Sequence, residues 1–434
     1  MDRKFQSVRG MNDLLADQLP WWQLVERSAR TLFADYGYQE FRVPLLEHTE
    51  LFQRSIGEHT DVVEKEMYSF EDRSGDNLTL RPEATAGLVR AMIENGLLHN
   101  QKQRLWTSGP MFRHERPQAG RYRQFHQIDC EAFGYEGPDV DVEVIQISAR
   151  LWRMLGISDV RLCVNSLGTP ESRRQYRALL VTYFERHRGA LDADSLRRLG
   201  TNPMRILDSK NPAMKELIAG APILTDHLDA ASREHFDRFR GLLGACGIPF
   251  EVDSRLVRGL DYYTRTVFEW TTRALGAQDA VCSGGRYDGL VELLGGEPTP
   301  AIGWALGIER IVGLLQAAGT TADAVVPAVY LVLSGERAER AGLAIAEQLR
   351  DKLPGAGVQV NMGGGSLKSQ MKRADKSGAQ LALIIGDDEI ARNSAAVRML
   401  RGDASQQDCR LDEVAGRVAS LLGGKMNSRS GDGR

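Results

Sequence analysis

Hydrophobic and polar positions alternate most cleanly over residues 125–133. Phe125, Gln127, Asp129, Glu131 and Phe133 share one face of a strand, and His126, Ile128, Cys130 and Ala132 share the other. The first face sets an amide and two acids between two aromatics. The wider stretch 106–134 reads as a strand, a long basic loop and this second strand. Towards the N-terminus, Pro20 opens a helical segment in which Trp21, Leu24, Val25, Leu32 and Phe33 follow helical spacing, with Gly37 where a C-terminal cap belongs. Residues 39–43 read as a strand stopped by Pro44, and 77–80 as another that runs through Arg81-Pro82 into a helix over 85–94.

Further on the texture changes. Residues 169–247 are dense in Arg and Glu, poor in aromatics and helical in period, with breaks at Asn202-Pro203 and Asn211-Pro212. This predicts a helical insertion within the first domain. Strand character returns over 255–270. The glycine-rich run 282–289 lacks the Gly-Lys-Ser/Thr ending of a Walker loop. Residues 300–315 are expected to form one helix, with Trp304, Ile308, Ile311 and Leu315 on one face and Gly303, Gly307 and Arg310 on another. Glycines there admit either close approach of a ligand or tight helix–sheet packing. After a linker at 318–323, strands over 325–334, 358–361 and 381–386 alternate with helices over 338–353 and 366–376. That alternation predicts a small α/β domain with a partly parallel sheet, followed by a disordered tail.

Length and composition change this picture little. A chain of 434 residues, 42% hydrophobic and 26% charged, suits two or three soluble globular domains. The net charge of −3 gives no global signature of a nucleic-acid binder. From residue 327 onward, however, 16 Lys+Arg against 13 Asp+Glu give +3, leaving −6 for the rest. Lys368, Lys372 and Lys376 fall at helical spacing beside Arg373, so one face of the 366–376 helix is cationic. The five cysteines are scattered without a C-x-x-C pair, which argues against a zinc site or a disulfide framework and suits a cytoplasmic protein. No apolar run approaches the ~18 residues of a membrane span, and the N-terminus lacks the apolar core of a signal peptide.

The candidate chemistry lies in the 106–134 stretch. Arg113, Arg116, Arg121 and Arg123 crowd into eleven positions. Arginine suits planar, bidentate recognition of phosphate, so the stretch suggests a site for a phosphorylated ligand beside a small polar one. Glu83 and Thr85 stand at a strand-to-helix junction with free backbone N–H groups, either as caps or as ligand contacts.

Together these pieces resemble the histidyl-tRNA synthetases, within the class II aminoacyl-tRNA synthetases. The helix and strand ending at Pro44 look like class motif 1, which in the family builds a dimer interface. The run Gly109-Pro110-Met111-Phe112-Arg113-His114-Glu115-Arg116, with the strand to Glu131, looks like motif 2, and Gly303 to Arg310 looks like motif 3. Two segments are similar to histidine-specific signatures: Leu256-Val257-Arg258-Gly259-Leu260-Asp261-Tyr262-Tyr263 and Gly284-Gly285-Arg286-Tyr287-Asp288-Gly289.

The resemblance implies an α+β catalytic domain on an antiparallel sheet over 1–325, with a helical insertion at about 169–247. A C-terminal α/β anticodon-binding domain over 326–424 and a tail at 425–434 would follow. It implies ligation of L-histidine to its tRNA through a histidyl-adenylate, with ATP as substrate, Mg2+ on the ATP phosphates, and a cytoplasmic homodimer. Arg113 and Arg258 would grip the α-phosphate as catalytic groups, Arg258 standing in for a metal ion used elsewhere in the class. Arg121 and Arg310 would hold the outer phosphates, and Phe125 and Arg310 would sandwich the adenine. Glu83, Thr85 and Gln127 would hold the histidine ammonium; Glu131 and Tyr263, with Tyr262 beside them, would meet the ring. Arg116 and Gln118 would meet the acceptor end of the tRNA. No protein-held metal is expected. The competing expectation is a histidine-sensing, non-catalytic regulatory paralogue of ATP phosphoribosyltransferase, against which the Arg258–Tyr263 run and the C-terminal domain speak.

Overall fold

A computed structural model describes residues 5–57, 60–118, 120–207, 209, 211–276, 280–322, 326–401 and 405–423. The expected tail at 425–434 and the domain boundary at 325 lie outside these residues. The chain divides into two units, Met1–Ala322 and Asp323–Arg434.

The first unit is built on an eight-stranded sheet. Its order runs Gln39–Glu40, Gln103–Phe112, Gln124–Phe133, Ala301–Gly307, Ala280–Arg286, Thr264–Thr271, Arg161–Ser166 and Glu251–Val252. The six inner strands are mutually antiparallel, and only the two short outer strands pair in parallel. One sheet face is apolar. Ile128, Cys130, Ile302, Trp304, Leu306 and Phe268 are buried there under the helices Leu19–Asp35, Pro138–Met154, Ala230–Ala245 and Ile308–Ala317. Each such large side chain contributes ~1.5–3 kcal/mol of burial. Polar pins fix the registry of this layer: Trp304 donates its indole N–H to the Val144 carbonyl at 2.7 Å. The buried Asp141 accepts from Arg286 Nε at 2.7 Å and Thr266 at 2.6 Å, with His235 Nε2 at 2.8 Å. The opposite sheet face carries the polar positions.

The expected helix over 300–315 is a strand followed by a helix. Ala301–Gly307 pairs antiparallel with Gln124–Phe133 on one side and Ala280–Arg286 on the other, and the helix begins at Ile308. The reason is a period of two: Ile302, Trp304 and Leu306 bury under the helices, while Gly303, Ala305 and Gly307 face the other way. Strand character over 255–270 likewise contracts to Thr264–Thr271, and the Arg258–Tyr263 run is an irregular segment before it.

Within 169–247, helices Pro170–Arg186, Ala193–Thr201 and Lys215–Ala219 with several short turns form a compact helical body. Its core, including Tyr176, Leu180, Phe184 and Leu224, is continuous with Leu256, Tyr262, Tyr263 and Tyr287. The last helix of the stretch, Ala230–Ala245, instead joins the layer over the main sheet through Phe236, Phe239 and Leu243.

The second unit has a five-stranded sheet ordered Val358–Val360, Val329–Ser334, Leu381–Gly386, Ser394–Met399, Gln406–Arg410. The first three strands are parallel, as the alternation predicts, and the last two run antiparallel. Helices Glu336–Lys352, Leu367–Lys376 and Val414–Leu422 cover it. Ser366 caps the cationic helix by accepting from the Ser369 N–H at 3.3 Å, and Lys368, Lys372, Arg373 and Lys376 are all exposed.

Candidate active site

A cavity of about 370 Å³ opens on the polar face of the first unit's sheet. Its floor follows from strand registry. Gln127 lies between Gly109 and Gly307, Asp129 between Thr107 and Ala305, and Glu131 between Leu105 and Gly303. The strand Ala301–Gly307 thus presents only hydrogen or methyl beside the polar side chains of Gln124–Phe133. A Cβ at Gly303 would overlap the Glu131 carboxylate, so glycine there leaves space for an acid on the neighbouring strand.

Glu131 is fully enclosed. Thr85 donates its hydroxyl to Glu131 Oε1 at 2.7 Å, and Tyr287 donates to Oε2 at 2.5 Å. Burial raises the Glu131 pKa to about 8, against the opposing effect of those two hydrogen bonds. Glu83 caps the helix Thr85–Glu94, its carboxylate accepting the N–H of Thr85 at 2.6 Å and of Ala86 at 3.0 Å. Burial raises its pKa as well. Asp129 is pushed well above the usual carboxylate range, first by burial and then by the nearby Glu131 and Glu83. Tyr262 and Tyr263 line the same wall with ring centroids 4.7 Å apart.

The other wall is cationic. Arg113, at the end of the strand Gln103–Phe112, donates to the Pro82 carbonyl at 2.9 Å and lies over the Phe125 ring at 5.3 Å. Arg258 pairs with Glu269 at 2.7 Å, donates to Ser283 Oγ at 2.6 Å and lies over the Tyr263 ring at 5.6 Å. Arg121 is ion-paired with Glu115. Arg310, in the first turn of Ile308–Ala317, donates to the carbonyls of Gly120, at 3.2 Å, and Ala280. It is Arg113 that covers the face of Phe125, while Arg310 ties the hairpin loop to the start of the strand Ala280–Arg286.

The structure therefore gathers Glu83, Thr85, Arg113, Arg121, Phe125, Gln127, Glu131, Arg258, Tyr262, Tyr263 and Arg310 around one cavity. Arg116 and Gln118 lie apart from its walls, exposed on the loop between the hairpin strands. Sequence reasoning missed Tyr287 as a partner of Glu131, although it sits inside the Gly284–Gly289 signature. It missed Glu269 and Ser283, which orient Arg258, and Glu309, which accepts the His126 N–H at 2.9 Å. It also missed Arg205, which reaches the cavity from the helical body. Among the described residues no group of three His, Cys, Asp or Glu side chains is arranged to hold a metal ion, and no helix is long and apolar enough to cross a membrane.

Comparison with known proteins agrees with this geometry. The family description "Histidyl-tRNA synthetase" matches residues 10–311, and "Anticodon binding domain" matches residues 328–421. The chain is 56% identical to the histidine–tRNA ligase of Halorhodospira halophila and 55% identical to that of Hydrogenovibrio crunogenus, each over 97% of this chain and 99% of the relative. The apo histidyl-tRNA synthetase of Staphylococcus aureus superposes with a TM-score of 0.81 at 34% identity, covering 96% of this chain and all of that one. Both the signature-bearing cavity and the match across the full length of these relatives lead to one assignment: the chain belongs to the histidyl-tRNA synthetase family.

Proposed function

We propose that the protein ligates L-histidine to its tRNA in two steps within the described cavity. A histidine carboxylate oxygen attacks the α-phosphorus of ATP, the bond to the bridging oxygen breaks, and pyrophosphate leaves. The acyl group of the histidyl-adenylate then passes to the 3′ end of the tRNA, releasing AMP. The observation that carries this reading is the division of one cavity into a buried wall of hydrogen-bonding groups and a wall of arginines that includes Arg113, Arg121, Arg258 and Arg310. A non-catalytic sensor of histidine needs only the first wall.

Charge develops on the phosphoryl oxygens during attack, so catalysis there is positioning and electrostatic stabilisation. Arg113 and Arg258 would hold the α-phosphate, and Arg121 and Arg310 the outer phosphates. Phe125 would stack on the adenine. Magnesium would travel with the outer phosphates and neutralise them, held mainly by phosphate and water oxygens; Glu269 and Glu115 are already engaged by Arg258 and Arg121. Glu131 and Tyr263 would read the imidazole, and Glu83, Thr85 and Gln127 the ammonium end, with Tyr262 closing the pocket. Buried polar groups left unpaired by any other amino acid can discriminate by ~10⁴–10⁵ without editing. Arg116 and Gln118 on the exposed loop would meet the acceptor end, and the cationic face of Leu367–Lys376 would offer phosphate contacts in the anticodon-binding domain. A cytoplasmic homodimer built on Leu19–Asp35 completes the reading.

The test is amino-acid-dependent exchange of pyrophosphate into ATP, run with all twenty amino acids. Exchange with histidine alone is expected. Binding of histidine without exchange would replace the ligase reading with the regulatory one.

A further inference from the structure

Asp129 is among the most buried acids of the molecule, at 1% exposure, and it lines the cavity. Its Oδ2 has no hydrogen-bond partner. Uncompensated burial of a carboxylate is costly enough that such a group is normally paired, protonated or waiting for a cation. Two arginines attract it, Arg81 and Arg113. Arg81, however, donates to the carbonyls of Pro110 and Val43, each at 3.0 Å, and Arg113 to that of Pro82. Two residues earlier on the same strand face, Gln127 Oε1 is also buried and unpartnered. The space above the two is kept clear by Gly307 and Ala305 on the neighbouring strand.

We infer that Asp129 is a further substrate-binding residue of the ligase, its carboxylate and the Gln127 amide oxygen jointly receiving the α-ammonium of histidine. This rests on the adenylation reading above. An ammonium brings three N–H donors and a full charge. Two side-by-side acceptors, one of them anionic, suit it and repel a carboxylate or phosphate. Thr85 supplies the third acceptor: its hydroxyl proton goes to Glu131 and Tyr262 shares the same oxygen, which leaves one lone pair. The role assigned to Glu83 then becomes indirect. Both of its oxygens are taken by the start of the helix Thr85–Glu94, so it positions Thr85. Thr107, opposite Asp129 in register, also has an unpartnered hydroxyl. A water shared between Thr107 and Asp129 is the competing occupant.

The experiment compares the full-length protein with Asp129→Asn, which keeps the shape and removes the charge. In pyrophosphate exchange the KM for histidine is expected to rise ~10–100-fold, the worth of a charge-assisted hydrogen bond. The kcat and the KM for ATP should stay within about twofold, as for a group that binds substrate and transition state alike. Calorimetric binding of two analogues separates the causes. L-histidinol keeps the ammonium and should weaken by the same factor as histidine. Imidazolepropionate keeps ring and carboxylate but lacks the ammonium, and should bind both proteins equally. An unchanged KM for histidine, or equal weakening of both analogues, overturns the assignment and favours the shared water or a purely structural acid. Absence of histidine exchange in the unsubstituted protein would instead fault the ligase reading, while the analogue binding still tests Asp129. Asp129→Ala serves as the second variant, with melting curves identifying any loss of fold.

Discussion

The two walls of the cavity are built in different ways. The buried wall is rigid: Gln127, Asp129 and Glu131 stand on one strand, and Tyr287, Thr85 and Glu131 hold one another through short hydrogen bonds. The Glu131 carboxylate is held on both oxygens before any ligand arrives. The cationic wall draws its arginines from a hairpin end, a loop, an irregular segment and a helix start. Each is held by a carbonyl or a carboxylate that a phosphate can outbid. In the proposed reaction the first wall would discriminate and the second would stabilise charge. Selecting one amino acid requires groups that cannot adjust to a wrong one, whereas gripping a triphosphate through attack and departure requires cations that can be re-paired.

Substitutions should separate the two walls. The largest effect is expected from Arg258→Ala. Pyrophosphate exchange should fall by ~10³ or more, as when an arginine is removed from a phosphoryl transition state, while calorimetric affinity for histidine changes far less. Equal losses in both would merge the two walls into one. Tyr287→Phe should act in the opposite sense. Removing the hydroxyl leaves the Glu131 carboxylate short of a donor, at a cost of ~1–2 kcal/mol, so the KM for histidine should rise about tenfold with the KM for ATP unchanged. A matching rise for ATP would show that the walls are coupled.

A separate effect concerns stability and pH. The Glu131 pKa is raised from 4.5 to about 8 in the folded protein. Between these values the unfolded chain has released the proton while the folded one retains it, so this group's contribution to stability declines as pH rises from 4.5 and is fully lost above about 8. Glu131→Gln carries no such penalty. Its melting temperature relative to the unsubstituted protein should therefore climb between pH 5 and pH 8.5, by roughly 1–2 °C per kcal/mol for a unit of this size. A flat difference would mean that Glu131 is ionised throughout.

Much of this was legible in the chain. The alternation from Phe125 to Phe133 identified the central strand and the face that carries the site, because a period of two survives any tertiary context. The same period was hidden over Ala301–Gly307. There glycine and alanine occupy every polar-face position, and a small side chain looks the same in a helix as in a strand. The strands Ser394–Met399 and Gln406–Arg410 went unread because they carry short side chains or polar runs and owe their pairing to a sheet already formed. The hydrogen bond from Tyr287 to Glu131 spans 156 positions, and nothing local to either residue announces it. Motif resemblance brought both segments into view, but only the fold shows that one tyrosine secures the acid.

The apolar core shared by the helical body with Leu256, Tyr262, Tyr263 and Tyr287 bears on how the protein could be dissected. An insertion in sequence need not be a removable module. Excising residues 170–229 would strip one side of the packing from the tyrosines that line the cavity, and would expose Leu256 to water. A minimal adenylating enzyme made from this chain would therefore retain the helical body and end near Ala322, where one compact unit closes.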